Sequence, residues 1–175
     1  MKPPSPSERA AHHIAFLLAK HGGELARHIR RLVRDDDVAQ DILQDTMIRA
    51  HGALSRLAAG SNERAWLYRI ATNASLNHLR AKAREREALR RHAAERDAAV
   101  EPPADVRRER DDARRAALWA EVGRLPQRQR LALTLRIVDE LDYEEIARRV
   151  GGSAAGARAN VYQATKKLRL GVGAL

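Results

Sequence analysis

Residues 141–169 contain two adjoining helical patterns that are separated by a pair of glycines. The first pattern begins at Asp142, which can cap a helix, and Glu145 follows it at the spacing of a capping box. This short helix is expected to end at Gly151–Gly152, and Ser153 can then cap a second helix. The spacing is that of a helix-turn-helix and predicts two packed helices near the end of the chain.

The second of these helices has an apolar face and a basic face. The apolar face consists of Ala157, Val161, Ala164 and Leu168, which recur every three or four residues. The opposite face carries arginine, glutamine and lysine, which read base edges and neutralise phosphates when a helix lies in a major groove. The alternative is a basic, solvated face on an ordinary helical hairpin.

The composition favours helices and a polyanionic partner. Hydrophobic residues make up 44% of the chain but aromatic residues only 3%, which predicts an all-α fold. The formal net charge of +10 favours nucleic acid as the partner. There is no cysteine, no apolar run of about 20 residues and no signal-peptide pattern, so we expect a cytoplasmic protein that does not insert into membranes.

Two small helical domains joined by a flexible linker are expected. The proline-rich residues 1–13 are predicted to form a disordered lead, and residues 14–82 a first helical domain. Residues 83–115 lose apolar periodicity, carry both signs of charge and contain Pro102–Pro103, which predicts a linker. The helices at its two ends can extend into it. Residues 116–175 form the second domain.

Within the first domain, Gly22–Gly23 interrupt a helical pattern, which predicts two helices or one interrupted helix. A row of aspartates follows. Asp37, Asp41 and Asp45 recur every four residues and therefore share one helix face, where like charges cost stability. This row indicates a partner of complementary charge, with helix solubility as the alternative. A magnesium site for a diphosphate substrate is disfavoured, because the chain has no second acidic motif.

The next helical pattern places aromatic and amide side chains beside basic ones. Trp66 and Tyr68 neighbour Arg64 and Arg69, and two asparagines follow. Such side chains suit unstacked bases, whose faces stack and whose edges form hydrogen bonds. The spacing of Trp66 nevertheless favours a core position.

Two blocks of the sequence resemble the sigma-70 family of bacterial transcription initiation factors, in particular its small extracytoplasmic-function (ECF) group. The first block is DDVAQDILQDTMIRAHGAL followed by RAWLYRIATNASLNHLR. The second is LPQRQRLALTLRIVDELDYEEIARRVGGS continued by ATKKLR. The resemblance implies a sigma region 2-like domain, a linker and a sigma region 4-like helix-turn-helix domain. It also implies a factor that binds core RNA polymerase, recognises promoter DNA and helps to open it.

The resemblance assigns roles to individual residues. Contact with the clamp of the polymerase β′ subunit falls to Asp41, Gln44, Asp45 and Arg49. Contact with the −10 element falls to Ser61, Asn62, Arg64, Tyr68, Asn73, Asn77 and Arg80. Contact with the −35 element falls to Ser153, Arg158, Ala159, Tyr162, Gln163, Lys166, Lys167 and Arg169. The C-terminal domain is then expected to meet the β flap.

The linker and the remaining partners follow from the same resemblance. The linker would pass through the RNA exit path, where Glu95, Asp97, Glu101 and Asp105 could mimic RNA. An anti-sigma factor is a candidate partner. No cofactor, metal or catalytic residue is implied, because the polymerase carries out the chemistry, and the sequence shows no nucleophile–base pair.

Two other functions are left open. After the turn, SAAGARANVYQ differs from the family, which usually has a glutamate and a Thr–Val pair there. A sigma-like mimic that titrates a regulator would tolerate this change. A stand-alone helix-turn-helix regulator would bind its DNA without polymerase.

Overall fold

The structure, a computed structural model, describes residues 5–94, 114–115 and 117–172 of the chain. Its secondary structure there is helical, with no strand in these ranges, as predicted. The α-helices are α1 (Pro6–Val33), α2 (Asp36–Ala53), α3 (Glu63–Ala94), α4 (residues 117–124), α5 (Gln127–Ile137), α6 (Tyr143–Val150) and α7 (Ala154–Val172). A single 3₁₀ turn, Leu54–Arg56, follows α2.

The first helix begins earlier than predicted. Ser5 and Glu8 form a capping box, in which the Ser5 hydroxyl accepts from the Glu8 N–H and the Glu8 carboxylate accepts from the Ser5 N–H. Pro6 lies in the first turn, where a missing N–H costs nothing. The prediction of a disordered lead is therefore wrong from Pro6 onward, because its prolines and Ser5 start a helix. Residues 1–4 lie outside the described residues.

Helix α1 is also continuous across Gly22–Gly23, so the predicted interruption is wrong. Each glycine costs a helix about 1 kcal/mol relative to alanine. Leu17, Leu25 and Ile29 are almost fully buried along the same helix, against α2 and α3. The burial of one such side chain contributes about 1.5–3 kcal/mol, which outweighs the cost of the glycines.

Helices α1, α2 and α3 pack on one another to form the N-terminal domain. Trp66 is 7% exposed, which confirms the core position predicted for it. Helix α3 continues to Ala94, twelve residues past the predicted end of this domain. The first part of the predicted linker is thus helical, and its Pro102–Pro103 pair lies outside the described residues.

Helices α4 to α7 form the C-terminal domain, in which α7 packs on α5 and α6. The predicted caps are present: the Asp142 carboxylate accepts from the Glu145 N–H at 2.7 Å, and Ser153 Oγ accepts from the Gly156 N–H at 3.1 Å. Gly151 ends α6 with a φ of 76°, a conformation that favours glycine. The helix-turn-helix predicted from the sequence is therefore formed by α6 and α7.

The two domains lie against each other. Helix α3 of the N-terminal domain contacts α5 and α6 of the C-terminal domain, and the buried apolar residues of both form one continuous core. This contact brings the start of α3 and the loop before it next to the C-terminal domain.

Candidate polymerase and promoter interfaces

The acidic face predicted on α2 is present and faces outward. Asp41 and Gln44 are exposed, and Asp45 is half-buried. Asp45 Oδ2 accepts from Arg49 Nε at 2.8 Å, four residues further along the helix. This ion pair relieves part of the repulsion expected within the row of aspartates.

An apolar side chain that sequence analysis missed lies on the same helix. Ile48 is 63% exposed, and it follows Gln44 by one turn. The inner face of α2 is formed instead by Ile42, Met47 and Ala50, which are buried. The sequence did indicate this exposure, because Ile48 does not share the helix face of the buried residues. Together the exposed side chains make an acidic face with an apolar centre, which is typical of a surface that binds another protein.

The loop before α3 presents polar groups next to the C-terminal domain. Asn62 is exposed, and its Oδ1 accepts from the Ala65 N–H at 2.9 Å, which leaves its Nδ2 available to donate. Ser61 is half-buried beside it. A cleft of about 270 Å³ separates this loop from α5, and Gln127 and Arg128 line its far side.

Two of the predicted −10 residues are engaged inside the protein. Arg64 donates to Glu24 Oε2 from Nη2 at 2.6 Å and from Nε at 3.1 Å. Tyr68 is 1% exposed, its hydroxyl lies 3.5 Å from the same Glu24 oxygen, and the Arg149 guanidinium lies 5.6 Å from its ring centroid. Burial raises the pKa of Tyr68 to about 12. In this domain arrangement Tyr68 cannot contact DNA, contrary to its predicted role, because α1 and α6 cover it.

The remaining predicted −10 residues lie further along α3. Asn77 is exposed, and Asn73 and Arg80 are half-buried. Arg80 Nη1 is 3.4 Å from Asn77 Oδ1, and its guanidinium lies directly against Gly123 of α4. The structure thus places the predicted −10 residues of α3 on two faces of that helix: Arg64 and Tyr68 face Glu24 of α1, whereas Asn73, Asn77 and Arg80 lie on the opposite face.

The predicted −35 residues form an open surface. All eight are exposed: Ser153, Arg158, Ala159, Tyr162, Gln163, Lys166, Lys167 and Arg169. Ala157 and Ala164 on the opposite face are buried against the rest of the domain. The basic face of α7 is therefore free to approach DNA, as the helical spacing predicted.

Helix α6 positions one of these residues. The Arg158 guanidinium lies 5.1 Å from the ring centroid of Tyr143, and Arg136 lies 5.3 Å from the same centroid. Cation–π contacts of this kind contribute about 0.5–1 kcal/mol at exposed sites and restrict the arginine side chain. The first residue of α6 thus holds an arginine of α7 in place.

The described residues contain neither a cluster of metal ligands nor a membrane-spanning helix. No group of three or more histidine, cysteine, aspartate or glutamate side chains is arranged there to hold a metal ion. None of the described helices is long and apolar enough to cross a membrane. The linker acids Glu95, Asp97, Glu101 and Asp105 lie outside the described residues.

Two family models and several known proteins match this sequence. The sigma-70 region 2 family matches residues 17–85, and the sigma-70 region 4 family matches residues 115–168. The chain is 31% identical over 163 residues to the RNA polymerase sigma-H factor of Pseudomonas aeruginosa, a match that covers 87% of this chain and 82% of that protein. It is 28% identical over 159 residues to the ECF RNA polymerase sigma-E factor of Escherichia coli K12, with coverage of 87% and 83%.

Two solved structures match the chain over most of its length. One is CnrH in complex with the cytosolic domain of CnrY, with a TM-score of 0.45, 24% identity and coverage of 96% of this chain and 95% of that one. The other is the sigma factor RpoE of Bartonella quintana in complex with the anti-sigma factor NepR, with a TM-score of 0.43, 22% identity and coverage of 89% and 93%. The two family matches and the sequence relatives show that the chain belongs to the sigma-70 family, as a member of its ECF group.

Proposed function

We propose that this chain is a promoter-specificity factor that binds core RNA polymerase, recognises promoter DNA and directs transcription initiation. The observation that carries the proposal is that both sigma-70 regions match in order, each on its own helical domain. The chemistry then belongs to the polymerase, and the factor acts in the cytoplasm, where bacterial polymerase transcribes.

The acidic face of α2 is the proposed contact with the clamp of the β′ subunit. Asp41, Gln44 and Asp45 supply charge and hydrogen-bond acceptors, and Arg49 orients Asp45 through their ion pair. Ile48 adds an apolar side chain that is buried only when a partner covers it. The proposed partner of the C-terminal domain is the β flap, as the family resemblance implies.

The loop before α3 and the outer side of α3 are the proposed −10 contact. Asn62 can donate from its free amide nitrogen to a base edge, and Asn77 is exposed about four helical turns further along. Arg80 joins this surface when the C-terminal domain moves away, whereas Arg64 and Tyr68 must also separate from Glu24 of α1. An unstacked base could then lie in the space between the loop and Trp66.

The basic face of α7 is the proposed −35 contact. Arg158 and Gln163 are the side chains suited to reading bases, because both can form paired hydrogen bonds with base edges in the major groove. Lys166, Lys167 and Arg169 neutralise phosphates, and Ala159 leaves room for the helix to approach the DNA. Ser153 lies at the N-terminus of α7, which favours a phosphate.

The test is transcription by a reconstituted holoenzyme. Purified bacterial core polymerase would be mixed with the chain and with a library of random promoter DNA, and the start sites would be determined by sequencing of the RNA products. The proposal predicts starts that depend on the chain and share a −35 and a −10 sequence. Tight binding to core polymerase without such starts would instead favour a sigma-like mimic. Specific DNA binding without core polymerase binding would favour a stand-alone regulator.

A further inference from the structure

A buried polar contact joins the two domains. His28 of α1 is fully buried, and its Nδ1 lies 2.6 Å from Oδ2 of Asp139, a residue in the turn between α5 and α6. Its Nε2 lies 2.8 Å from the Thr72 hydroxyl of α3. The other carboxylate oxygen of Asp139 accepts from Arg31 Nη1 at 2.8 Å. Asp139 of the C-terminal domain is thus bound by His28 and Arg31, two residues one turn apart on α1 of the N-terminal domain.

The chemistry of this contact fixes how its protons are placed. An ionised carboxylate can only accept hydrogen bonds, so Nδ1 of His28 carries the hydrogen that Asp139 accepts. The Thr72 hydroxyl can serve Nε2 as either donor or acceptor. Because the Asp139 side chain is only 4% exposed, its charge depends on these partners in place of water.

Asp139 is not needed for the shape of its own turn. Arg136 Nη1 donates to the Leu141 carbonyl at 2.8 Å, and the Leu141 N–H donates to the Leu135 carbonyl at 3.3 Å. Both bonds lie within the C-terminal domain. Among the described residues, the hydrogen bonds of the Asp139 carboxylate go to His28 and Arg31 in the N-terminal domain.

The same domain contact covers residues of the proposed −10 surface. Arg149 of α6 lies over Tyr68, and Arg80 is held against Gly123 of α4. Gln127 and Arg128 face Ser61 and Asn62 across the narrow cleft. A DNA strand cannot reach Tyr68 or the inner side of the loop while the C-terminal domain stays in this position.

We propose that His28, Thr72 and Asp139 form a latch that holds the C-terminal domain over the −10 surface of the free chain. The inference rests on the proposed function for its consequence, which is that the closed chain binds promoter DNA poorly. Only open molecules bind, so the apparent affinity for DNA falls in proportion to the open fraction. In this scheme core polymerase binds the open form, in which the two domains are separate, and so removes this penalty.

The latch can be tested on the free chain without polymerase. The sequence has no cysteine, so dyes attached at Ser55→Cys and Ala155→Cys, both exposed and one in each domain, would report the domain separation by single-molecule energy transfer. Asp139→Lys places a cation opposite Arg31 and His28. Glu140→Lys makes the same charge change on the neighbouring exposed residue and serves as the matched control.

If the latch forms, most molecules of the wild type and of Glu140→Lys will show a high efficiency of energy transfer, because the two domains are in contact. For Asp139→Lys the ratio of open to closed molecules rises at least about tenfold, the loss expected for a charge-assisted hydrogen bond. Affinity of the free chain for a promoter DNA selected by the holoenzyme rises with the open fraction. Arg31→Ala, which alters an exposed side chain and leaves both domain cores intact, shifts the ratio in the same direction by less.

An unchanged transfer distribution in both Asp139→Lys and Arg31→Ala would overturn the latch, provided that circular dichroism shows the helices to be retained. If Asp139→Lys fails to fold, the result for Arg31→Ala decides alone. The measurement of domain separation involves neither polymerase nor DNA. Failure of the holoenzyme to transcribe would therefore count against the proposed function and leave this result standing.

Discussion

The guanidinium of Arg80 occupies the space that a side chain at Gly123 would need. A Cβ built on Gly123 would lie 1.8 Å from Arg80 Nη2, far closer than two such atoms can approach. Gly123 also receives a second arginine, because its carbonyl accepts from Arg130 Nη1 at 2.7 Å. Burial, and secondarily the charge of Arg80, lowers the pKa of Arg130. The absence of a side chain at Gly123 thus allows the Arg80 guanidinium of the N-terminal domain to pack against α4.

Substitution of this glycine should therefore depend on Arg80. Alanine is favoured over glycine in a helix by up to about 1 kcal/mol, but Gly123→Ala must first displace the Arg80 side chain. We expect Gly123→Ala to increase the free energy of unfolding by about 1 kcal/mol more in an Arg80→Ala background than in the wild type. Urea unfolding of the four proteins of this double-mutant cycle measures the difference. Equal effects in the two backgrounds would show that the contact does not form in solution.

Charge reversal on the exposed face of α2 should disrupt polymerase binding. Asp41→Arg or Asp45→Arg places a cation where the proposed clamp contact needs an anion, and we expect the Kd for core polymerase to rise at least about tenfold. Ile48→Ala should weaken binding without changing the charge. Fluorescence anisotropy of the labelled chain with purified core polymerase measures these affinities.

Asp36→Arg provides a control on the same helix. Asp36 is exposed and lies about 140° around α2 from Asp41, given 3.6 residues per turn. Asp36→Arg changes the net charge by the same amount as Asp41→Arg. It also removes the ion pair between Asp36 and Arg30, but both of these side chains are largely exposed. We expect polymerase affinity to stay within about twofold of wild type. Equal losses for Asp36→Arg and Asp41→Arg would mean that net charge, not this face, determines binding.

Local patterns allowed much of this structure to be predicted. The caps at Asp142 and Ser153 were predictable because a capping residue and its partner lie within three positions of each other. The exposed basic face of α7 followed from the spacing of Ala157 and Ala164, since helical periodicity determines which side chains face the core. Ser5 and Glu8 also have the spacing of a capping box. This local pattern was missed because the neighbouring prolines suggested disorder, whereas Pro6 lies in the first turn of α1.

Relationships between distant residues could not be predicted in this way. His28 and Asp139 are 111 positions apart, and nothing in the sequence around either residue indicates the other. Burial of Tyr68 likewise depends on how α6 of the second domain lies against α3. Ile48 was missed because a single exposed apolar residue produces no periodic pattern. These features arise from packing between helices, which a single sequence does not specify locally.

The ring of Tyr143 should matter to −35 recognition through Arg158. Because the ring restricts the Arg158 guanidinium, its removal in Tyr143→Ala should leave that arginine mobile and raise the Kd of the holoenzyme for promoter DNA by roughly threefold to tenfold. Tyr143→Phe keeps the ring and should bind like the wild type. Electrophoretic mobility shift of the holoenzyme on one promoter measures both variants. A loss of affinity in Tyr143→Phe would point to the hydroxyl and away from the ring.

Promoter binding should weaken steeply with salt, and α7 should account for part of that dependence. Each phosphate neutralised by a lysine or arginine contributes about 0.9 to the slope of log K against log salt concentration. Lys166→Ala should therefore reduce the magnitude of this slope by about 0.9. Lys20→Ala, which removes an exposed lysine that lies over Phe16 on the N-terminal domain, should leave it unchanged. An unchanged slope for Lys166→Ala would remove this lysine from the DNA contact.

Acid should weaken the contact between the domains through Asp139. Burial opposes ionisation of this carboxyl, but the hydrogen bonds and charges of His28 and Arg31 outweigh it, so the pKa of Asp139 is lower in the folded protein. Tyr68 is a further titratable group close enough to interact electrostatically with Asp139. A group whose pKa falls on folding contributes its full stabilisation above its unfolded pKa, about 3.9 for aspartate, and loses it as the pH falls through the folded value. The free energy of unfolding of the wild type should therefore exceed that of Asp139→Asn near neutral pH, and the difference should shrink below about pH 4. Urea unfolding of both proteins from pH 7 to pH 3 measures this difference, and the subtraction cancels the other carboxylates because both proteins share them. A difference that stays constant down to pH 3 would mean that the ionised Asp139 carboxylate does not stabilise the folded chain.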